Sequence, residues 1–154
     1  AIADCLALLR HDPAVSDKHI LDFEPPEEPI ILHINESLIK QIIWNLARNS
    51  IKSMPEGGRL SVRLSVPYPA RVMITVSDTG YGIDAENIDK IFEPFHSGGG
   101  GSGLGLSIVH RIITEHGGRI DAKSEAGKGT TITIYLPKRP LSTQSRQDAK
   151  TQRL

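Results

Sequence analysis

Three polar segments of this chain combine residue types that can bind a nucleotide, and each borders a segment with apolar periodicity. In chain order they are an amide-rich segment at 45–52, a carboxylate and glycine segment at 78–83, and a glycine-rich segment at 98–105. A pair of amides, a carboxylate and a glycine loop seldom coincide by chance in one small domain. Together they predict a nucleotide pocket.

The amide-rich segment carries Asn45, Asn49 and Lys52 at positions i, i+4 and i+7, so a helix would project all three from one stripe. An amide oxygen is a hard, neutral ligand suited to Mg²⁺, and the ammonium group can lie near the same phosphates. The alternative is that both asparagines only cap or bind local backbone.

The second segment places Asp78 directly after an apolar strand and before Gly80, Gly82 and Ile83. Glycines let the backbone approach a flat ligand closely, and the carboxylate can accept a hydrogen bond from an exocyclic amino group. The alternative is an ordinary Asp-x-Gly turn between two elements.

The third segment, from Gly98 to Gly105, contains six glycines and ends at a helix start, where free N–H groups favour a phosphate. It is neither a Walker A loop nor the dinucleotide fingerprint, because the spacing differs from both. The same composition is also typical of a flexible linker.

Composition limits the classes of protein that fit. With 154 residues and 38% hydrophobic residues, the chain suits one globular domain. Its 18 basic and 18 acidic residues leave no global field that would favour nucleic acid or an anionic membrane. The single cysteine, Cys5, excludes an internal disulfide, and no apolar run approaches the ~20 residues of a membrane span. Since the chain begins at Ala1, we expect it to be part of a longer protein.

Periodicity predicts an α+β fold, with one mostly antiparallel sheet and helices on one face. Helices are predicted at 2–10, 37–54, 85–92 and 106–116, with Asn35 or Ser37 as the cap of the second. Strands are predicted at 30–34, 60–66, 72–76, 120–122 and 132–136, including two hairpins. Residues 1–137 form the predicted domain, and residues 138–154 are predicted to be a flexible basic tail.

Taken in order, and with Ile91-Phe-Glu-Pro-Phe95 between the second and third, the segments resemble the asparagine, first glycine, phenylalanine and second glycine boxes of sensor histidine kinases. The resemblance covers about residues 15–137, and the stretch from Gly127 matches the closing strand of the family. The nitrogen-regulation and pilus-regulation types are the nearest in pattern. The resemblance implies a Bergerat-type two-layer α/β sandwich with a mixed, mostly antiparallel sheet.

The resemblance also implies roles for individual residues. Asn49 would ligate Mg²⁺, while Asn45 and Lys52 would lie at the phosphates and carry the catalytic roles. Asp78 would read the adenine amino group, and Thr130 would support it through water. The remaining implied ATP contacts are Gly80, Gly82 and Ile83 in the adenine pocket and Gly101, Gly103, Leu104 and Gly105 in the lid. Phe92 and Phe95 would pack the base of that lid.

The implied activity is binding of MgATP and donation of its γ-phosphoryl group to a histidine on the dimerisation and histidine-phosphotransfer domain of the same protein. A response regulator would be the indirect partner, the full-length protein would be a cytoplasmic or membrane-attached homodimer, and this segment would contact neither nucleic acid nor membrane. The acceptor-histidine box is missing from the chain. Two alternatives on the same fold are an anti-sigma-type serine kinase and a non-catalytic nucleotide-sensing module.

Two departures from the family pattern bear on the chemistry. Residues 96–100 carry no fixed cation where many relatives have Thr, Lys or Arg. Relatives outside the kinases place a general-base Glu one turn before the magnesium asparagine, and here that position is Asn45. Because an amide cannot abstract a proton, this departure favours transfer to a histidine over ATP hydrolysis.

Overall fold

A computed structural model describes residues 1–32, 34–68, 70–94, 105–138 and 152–153 of the chain. The helices are α1 (Ile2–Leu9), α2 (Glu36–Lys52) and α3 (Gly105–Glu115), with one 3₁₀ turn at Ile88–Lys90. The strands are β1 (His19–Glu24), β2 (Ile31–Leu32), β3 (Gly58–Tyr68), β4 (Arg71–Asp78), β5 (Arg119–Glu125), β6 (Gly129–Pro137) and β7 (Gln152–Arg153).

Five of the strands form one mixed sheet in the order β1-β3-β4-β6-β5. Strand β1 pairs parallel with β3, and the other three pairings are antiparallel. Both predicted hairpins are present, as β3–β4 and β5–β6. The predicted α+β class with a mostly antiparallel sheet is therefore confirmed.

One face of the sheet is apolar and covered by helices. Along β4, Val72, Ile74 and Val76 are buried, while the residues between them are partly exposed. Helix α2 packs on β3 and β4, α3 packs on β5, and α1 packs on α2. The domain therefore has two layers, and Asp78 lies on the helix-facing side because it continues the alternation of Val76.

Helix α2, which carries the amide stripe, has a defined start. Asn35 takes an extended conformation, and its Oδ1 accepts a hydrogen bond from the Ser37 N–H at 2.8 Å. The cap is Asn35 rather than Ser37. Seven residues of α2 are buried, which fixes the rotation of the helix and hence the direction of the stripe.

Helix α1 places Cys5 in the core, where it is 5% exposed. Burial raises the pKa of the Cys5 thiol, and the nearby charge of Lys40 offsets this only in part. A buried thiol with a raised pKa is a packing residue rather than a nucleophile.

The predicted elements and the structure differ in three places. Strand β1 was not predicted. The expected helix at 85–92 is only the 3₁₀ turn Ile88–Lys90. The expected strand at 30–34 pairs over Ile31–Leu32 alone, although Ile30, Leu32 and Ile34 keep the buried alternation of a strand.

Most of the predicted tail, residues 139–151 and 154, lies outside the described residues. Within the tail, Gln152–Arg153 pair antiparallel with β2 to form a second, two-stranded sheet. None of the helices in the described part of the chain is both long and apolar enough to cross a membrane.

Candidate functional site

The amide stripe lies on α2 as predicted. Asn45 is half-buried, and its Nδ2 donates to the Gln41 carbonyl at 2.9 Å. Asn49 and Lys52 are exposed, and within the described part of the chain neither side chain has a hydrogen-bond or ion-pair partner. The alternative thus holds for Asn45, which binds local backbone, but not for Asn49. Its amide oxygen and the ammonium group are both available to a ligand.

Asp78 is held by two backbone N–H groups. Its Oδ1 accepts from Gly80 at 2.9 Å and from Thr130 at 3.2 Å. These charge-assisted bonds fix the carboxylate at the end of β4, opposite Thr130 at the start of β6. Among the described residues Oδ2 has no partner, so this oxygen is free to accept a hydrogen bond from a ligand.

The loop after Asp78 is fastened to the end of α2. The Tyr81 N–H donates to the Ser53 carbonyl at 3.0 Å. A Cβ at Gly80 would lie 2.6 Å from the same carbonyl oxygen, so only glycine fits. This contact joins the carboxylate segment to the residue that directly follows Lys52.

Gly82 turns the chain toward the β5–β6 hairpin. Its φ of +76° favours glycine, and a Cβ here would overlap the backbone carbonyl of Glu125. From the turn after Glu125, the Gly127 N–H donates to the Tyr81 carbonyl at 2.7 Å. The close approach at Gly80 and Gly82 is thus to the protein's own backbone, and their approach to a flat ligand stays a prediction.

Ile83 and Thr130 are joined by a residue that the sequence analysis did not single out. The Ser124 hydroxyl accepts from the Ile83 N–H at 2.7 Å and lies 2.8 Å from the Thr130 hydroxyl. Ser124 pairs directly with Thr130 across the β5–β6 ladder. Extending the predicted face of Ile120 and Ala122 by one step would have identified Ser124.

The start of α3 lies beside the amide stripe. A Cβ on Gly105 would be 3.3 Å from Oδ1 of Asn45. The first turn of α3 is therefore close to the stripe. The other predicted lid residues, Gly101, Gly103 and Leu104, lie outside the described residues.

Phe92 packs partly against the core and stacks on His110 of α3, with ring centroids 5.5 Å apart. This contact agrees with the packing role expected for it at the base of the lid. Phe95 lies outside the described residues.

An open cavity of about 320 Å³ borders the carboxylate end of the site. Its walls are formed by Asp78, Lys123, Ser124, Glu125, Lys128, Gly129, Thr130 and Thr131. The structure thus brings Asp78, Gly80, Gly82, Ile83 and Thr130 together at one end of the sheet, and Asn45 together with Gly105 at the stripe. The ligand roles of these residues stay predictions.

Residues 34–140 match the model of the histidine kinase-, DNA gyrase B- and HSP90-like ATPase family. Among curated proteins, sporulation kinase D of Bacillus subtilis (strain 168) is 43% identical over 112 residues, which is 72% of this chain and 22% of that protein. Sensor histidine kinase ZraS of Escherichia coli (strain K12) is 43% identical over 100 residues, or 64% of this chain and 21% of that protein. The chain spans about a fifth of the length of these two relatives.

Solved structures of histidine kinases also match this chain. The nucleotide-free catalytic domain of histidine kinase ThkA superposes with a TM-score of 0.78 at 30% identity, covering 90% of this chain and 92% of that one. Full-length ShkA in complex with AMPPNP matches with a TM-score of 0.79 at 27% identity, covering 92% of this chain and 30% of that one.

Proposed function

The chain belongs to the family of histidine kinase-, DNA gyrase B- and HSP90-like ATPases, and from this premise we propose that it binds MgATP and donates the γ-phosphoryl group to a histidine on a separate dimerisation domain. Its relatives are sensor histidine kinases, and its structural neighbours are histidine kinase catalytic domains. The observation that supports the proposal best is the carboxylate of Asp78. Its Oδ1 accepts hydrogen bonds from two backbone N–H groups, while its Oδ2 has no partner among the described residues.

The nucleotide base would lie at the Asp78 end of the site. Oδ2 can accept a hydrogen bond from the adenine 6-amino group, and the hydroxyl oxygen of Thr130 can hold a bridging water beside it. Gly80 and Gly82 add no side chains to this end of the site, and the space that a Cβ would take at each is filled by Ser53 and Glu125. That AMPPNP is bound in the ShkA complex supports a nucleotide in this fold.

The phosphates would lie between the α2 stripe and the start of α3. Asn49 and Lys52 are exposed and have no partner in the described part of the chain, so an amide oxygen and one positive charge remain available there. This donor set fits Mg²⁺, which takes one or two protein oxygens beside phosphate oxygens and waters. When bound, Mg²⁺ would neutralise charge on the transferring phosphate.

The protein residues would act mainly by positioning and charge. Asn45 is tied to the Gln41 carbonyl through its Nδ2, so its Oδ1 faces Gly105 and the first turn of α3. An amide in this place can orient a phosphate or a water but cannot take a proton from it. A neutral imidazole nitrogen needs no general base to attack, so the arrangement suits a histidine acceptor. The acceptor would come from the same protein, in the cytoplasm, and would pass the phosphoryl group on to a response regulator.

The test is phosphoryl transfer in solution. The chain is incubated with Mg²⁺ and γ-labelled ATP, together with the dimerisation domain of the same protein or that domain with its acceptor histidine changed to Gln. We expect label on the unmodified acceptor domain only, lost in acid and stable in alkali, as phosphohistidine is. Acid-stable label would instead indicate a serine kinase, and ATP binding without any transfer would indicate a nucleotide-sensing module.

Two lysines on α2 give a matched pair for the same assay. Lys52 has no ion-pair partner among the described residues, whereas Lys40 pairs with Glu36 at 3.6 Å. Lys52→Gln should lower the transfer rate, and Lys40→Gln, which removes the same charge from the same helix, should leave it unchanged. Equal effects of the two variants would contradict a role of Lys52 at the phosphates.

A further inference from the structure

His19 is a buried polar side chain that the proposed phosphoryl transfer does not use. It is 8% exposed and lies on the same face of β1 as the buried Leu21. Its Nδ1 accepts from the Ser16 N–H at 2.9 Å, which leaves the ring proton on Nε2 for the Met54 carbonyl at 2.7 Å. The Gly57 N–H also donates to this carbonyl, but from within the same turn, so it is His19 that joins the turn to β1. An aliphatic side chain could fill this space, and the two directed bonds are what histidine adds.

Met54, which His19 holds, connects the two ends of the proposed ATP site. It lies two positions after Lys52, just beyond the end of α2, and is 2% exposed. Its Sδ accepts from the Thr79 hydroxyl at 3.6 Å, and Thr79 directly follows Asp78. Met54 is thus part of the chain that leaves the phosphate end and also contacts the loop that carries the base end.

The contact between Met54 and Thr79 depends on Gly58, which pairs with His19 across β1 and β3. A Cβ at Gly58 would lie 2.5 Å from the Met54 Sδ and 2.6 Å from the Thr79 Oγ1. Thr79 is also fixed to β3, because its Oγ1 accepts from the Arg59 N–H at 3.0 Å. His19, Met54, Gly58 and Thr79 therefore form one close-packed junction between β1, β3, the end of α2 and the loop that follows β4.

We propose that His19 is a positioning residue that sets the separation between the base end and the phosphate end of the ATP site by fixing the Met54 carbonyl. The inference rests on the proposed function, because it assumes that one nucleotide spans both ends. A ligand that spans two subsites binds tightly only when their separation matches its length, since the second contact then costs little further freedom. His19 is buried and acts on the nucleotide through the junction, without contacting it.

The test compares the dissociation constants of MgATP for the unmodified chain and its variants by calorimetric titration. His19→Leu removes both bonds and keeps an apolar side chain in the core. We expect its affinity to fall about fivefold, as for the loss of one ordinary hydrogen bond between ATP and either end of the site. His19→Gln should restore the affinity, because its amide can donate to Met54 and accept from Ser16.

His116→Leu is the matched control. The His116 Nδ1 bonds the Ile112 carbonyl at the same distance of 2.7 Å, but this carbonyl lies one turn back along the same helix. The bond therefore joins no second element to α3. His116→Leu should leave the affinity for MgATP unchanged.

A second background separates control of the separation from a general weakening of the site. Asp78→Asn removes the proposed contact at the base end, so the distance to that end matters less. Adding His19→Leu should then change the affinity by less than about twofold. If His19 only supported α2, the same fivefold loss would appear in both backgrounds. Thermal melting gives a titration temperature at which every variant is folded.

The proposal is overturned if His19→Leu binds MgATP as tightly as the unmodified chain, if His19→Gln does not restore the affinity, or if the loss is the same in the Asp78→Asn background. If His19→Leu does not fold, Met54→Leu takes its place, because it keeps the size but removes the sulfur that Thr79 contacts. It must then lower the affinity and lose this effect in the Asp78→Asn background. If the unmodified chain binds no MgATP, the proposed function itself fails. Tight binding that these variants do not alter defeats only the role of His19.

Discussion

At the scale of single residues, Asp78 and Asn45 each use one polar atom of the side chain in hydrogen bonds to the protein. Asp78 gives Oδ1 to the backbone and keeps Oδ2 free of protein partners in the described part of the chain. Asn45 uses its Nδ2 and leaves Oδ1 beside Gly105. Each of these side chains is thus oriented by one atom and can bind a ligand with the other, so little rotational freedom is lost on binding.

The glycines of the site differ in how strongly their positions require glycine, and two of them form a matched pair. Gly82 and Gly127 have similar backbone angles, with φ of +76° and +82°. A Cβ at Gly82 would overlap the Glu125 carbonyl, whereas one at Gly127 would have no atom within 4 Å. Only the first therefore combines backbone strain with a steric clash.

We predict that Gly82→Ala lowers the free energy of unfolding by roughly 2–4 kcal/mol and Gly127→Ala by about 1 kcal/mol. In both variants alanine must adopt a left-handed backbone conformation, which costs free energy, and only Gly82→Ala must also move the β5–β6 turn. Urea unfolding of the two variants and the unmodified chain measures the difference. Equal losses would contradict the close approach of this loop to Glu125.

At the scale of elements, α2 positions the phosphate end of the site. Its buried face sets the rotation of the helix, and Ser53, directly after its last turn, accepts a hydrogen bond from the Tyr81 N–H in the loop after Asp78. The start of α2 is fixed by the Asn35 cap, which satisfies one of the free N–H groups of the first turn.

Removing that cap should destabilise the domain without touching the site. Asn35→Ala should lower the free energy of unfolding by about 1 kcal/mol, and Asn35→Asp should retain most of the stability. Asn87→Ala is the matched control, since Asn87 begins the 3₁₀ turn Ile88–Lys90 with no side-chain cap bond. Chemical denaturation measures all three, and an Asn35→Ala variant as stable as the unmodified chain would disprove the cap.

The helices and hairpins could be predicted because their signals are local. Periodic apolar residues and nearby turn residues identify α2, α3 and both hairpins. Strand β1 could not be found in this way, because its stability depends on distant partners. His19 is buried there because its Nε2 bonds the Met54 carbonyl at 2.7 Å, 35 residues away.

The same reasoning explains the other differences. Residues 30–34 keep a strand-like alternation of burial, but a ladder needs a partner, and only Gln152–Arg153 provide one. Within the site, the types of Asp78 and Asn49 indicated their chemistry directly. The residue type of Ser124 carries no such signal; the alternation of Ile120 and Ala122 gives only its face, and its contact with Thr130 follows from the register of β5 and β6.

At the scale of the whole molecule, one continuous core supports both ends of the site. Its largest fully buried side chains come from all three described α-helices and from the sheet. Because the sheet and the helices share this core, we expect the domain to unfold in one cooperative step.

A core variant tests this coupling. Ile74 is 0% exposed in β4, and Ile74→Ala should lower the free energy of unfolding by about 2–5 kcal/mol. Trp44, the single tryptophan of the chain, lies on α2. The unfolding midpoint measured by its fluorescence and the one measured by far-ultraviolet circular dichroism should shift together. Val66→Ala, at a position 41% exposed, should change stability by only about 0.5 kcal/mol. Separate transitions for the two signals would show that the helix layer and the sheet unfold independently.

Titration of MgATP into Asp78→Asn tests whether Asp78 marks the base end of an ATP site. Asp84→Asn is the control, since Asp84 is an exposed carboxylate in the same loop. We expect an affinity lower by about ten- to a hundredfold for Asp78→Asn, the value of one charge-assisted hydrogen bond, and no change for Asp84→Asn. An Asp78→Asn variant that folds normally and binds ATP as tightly as the unmodified chain would contradict the assignment of Asp78 to the base.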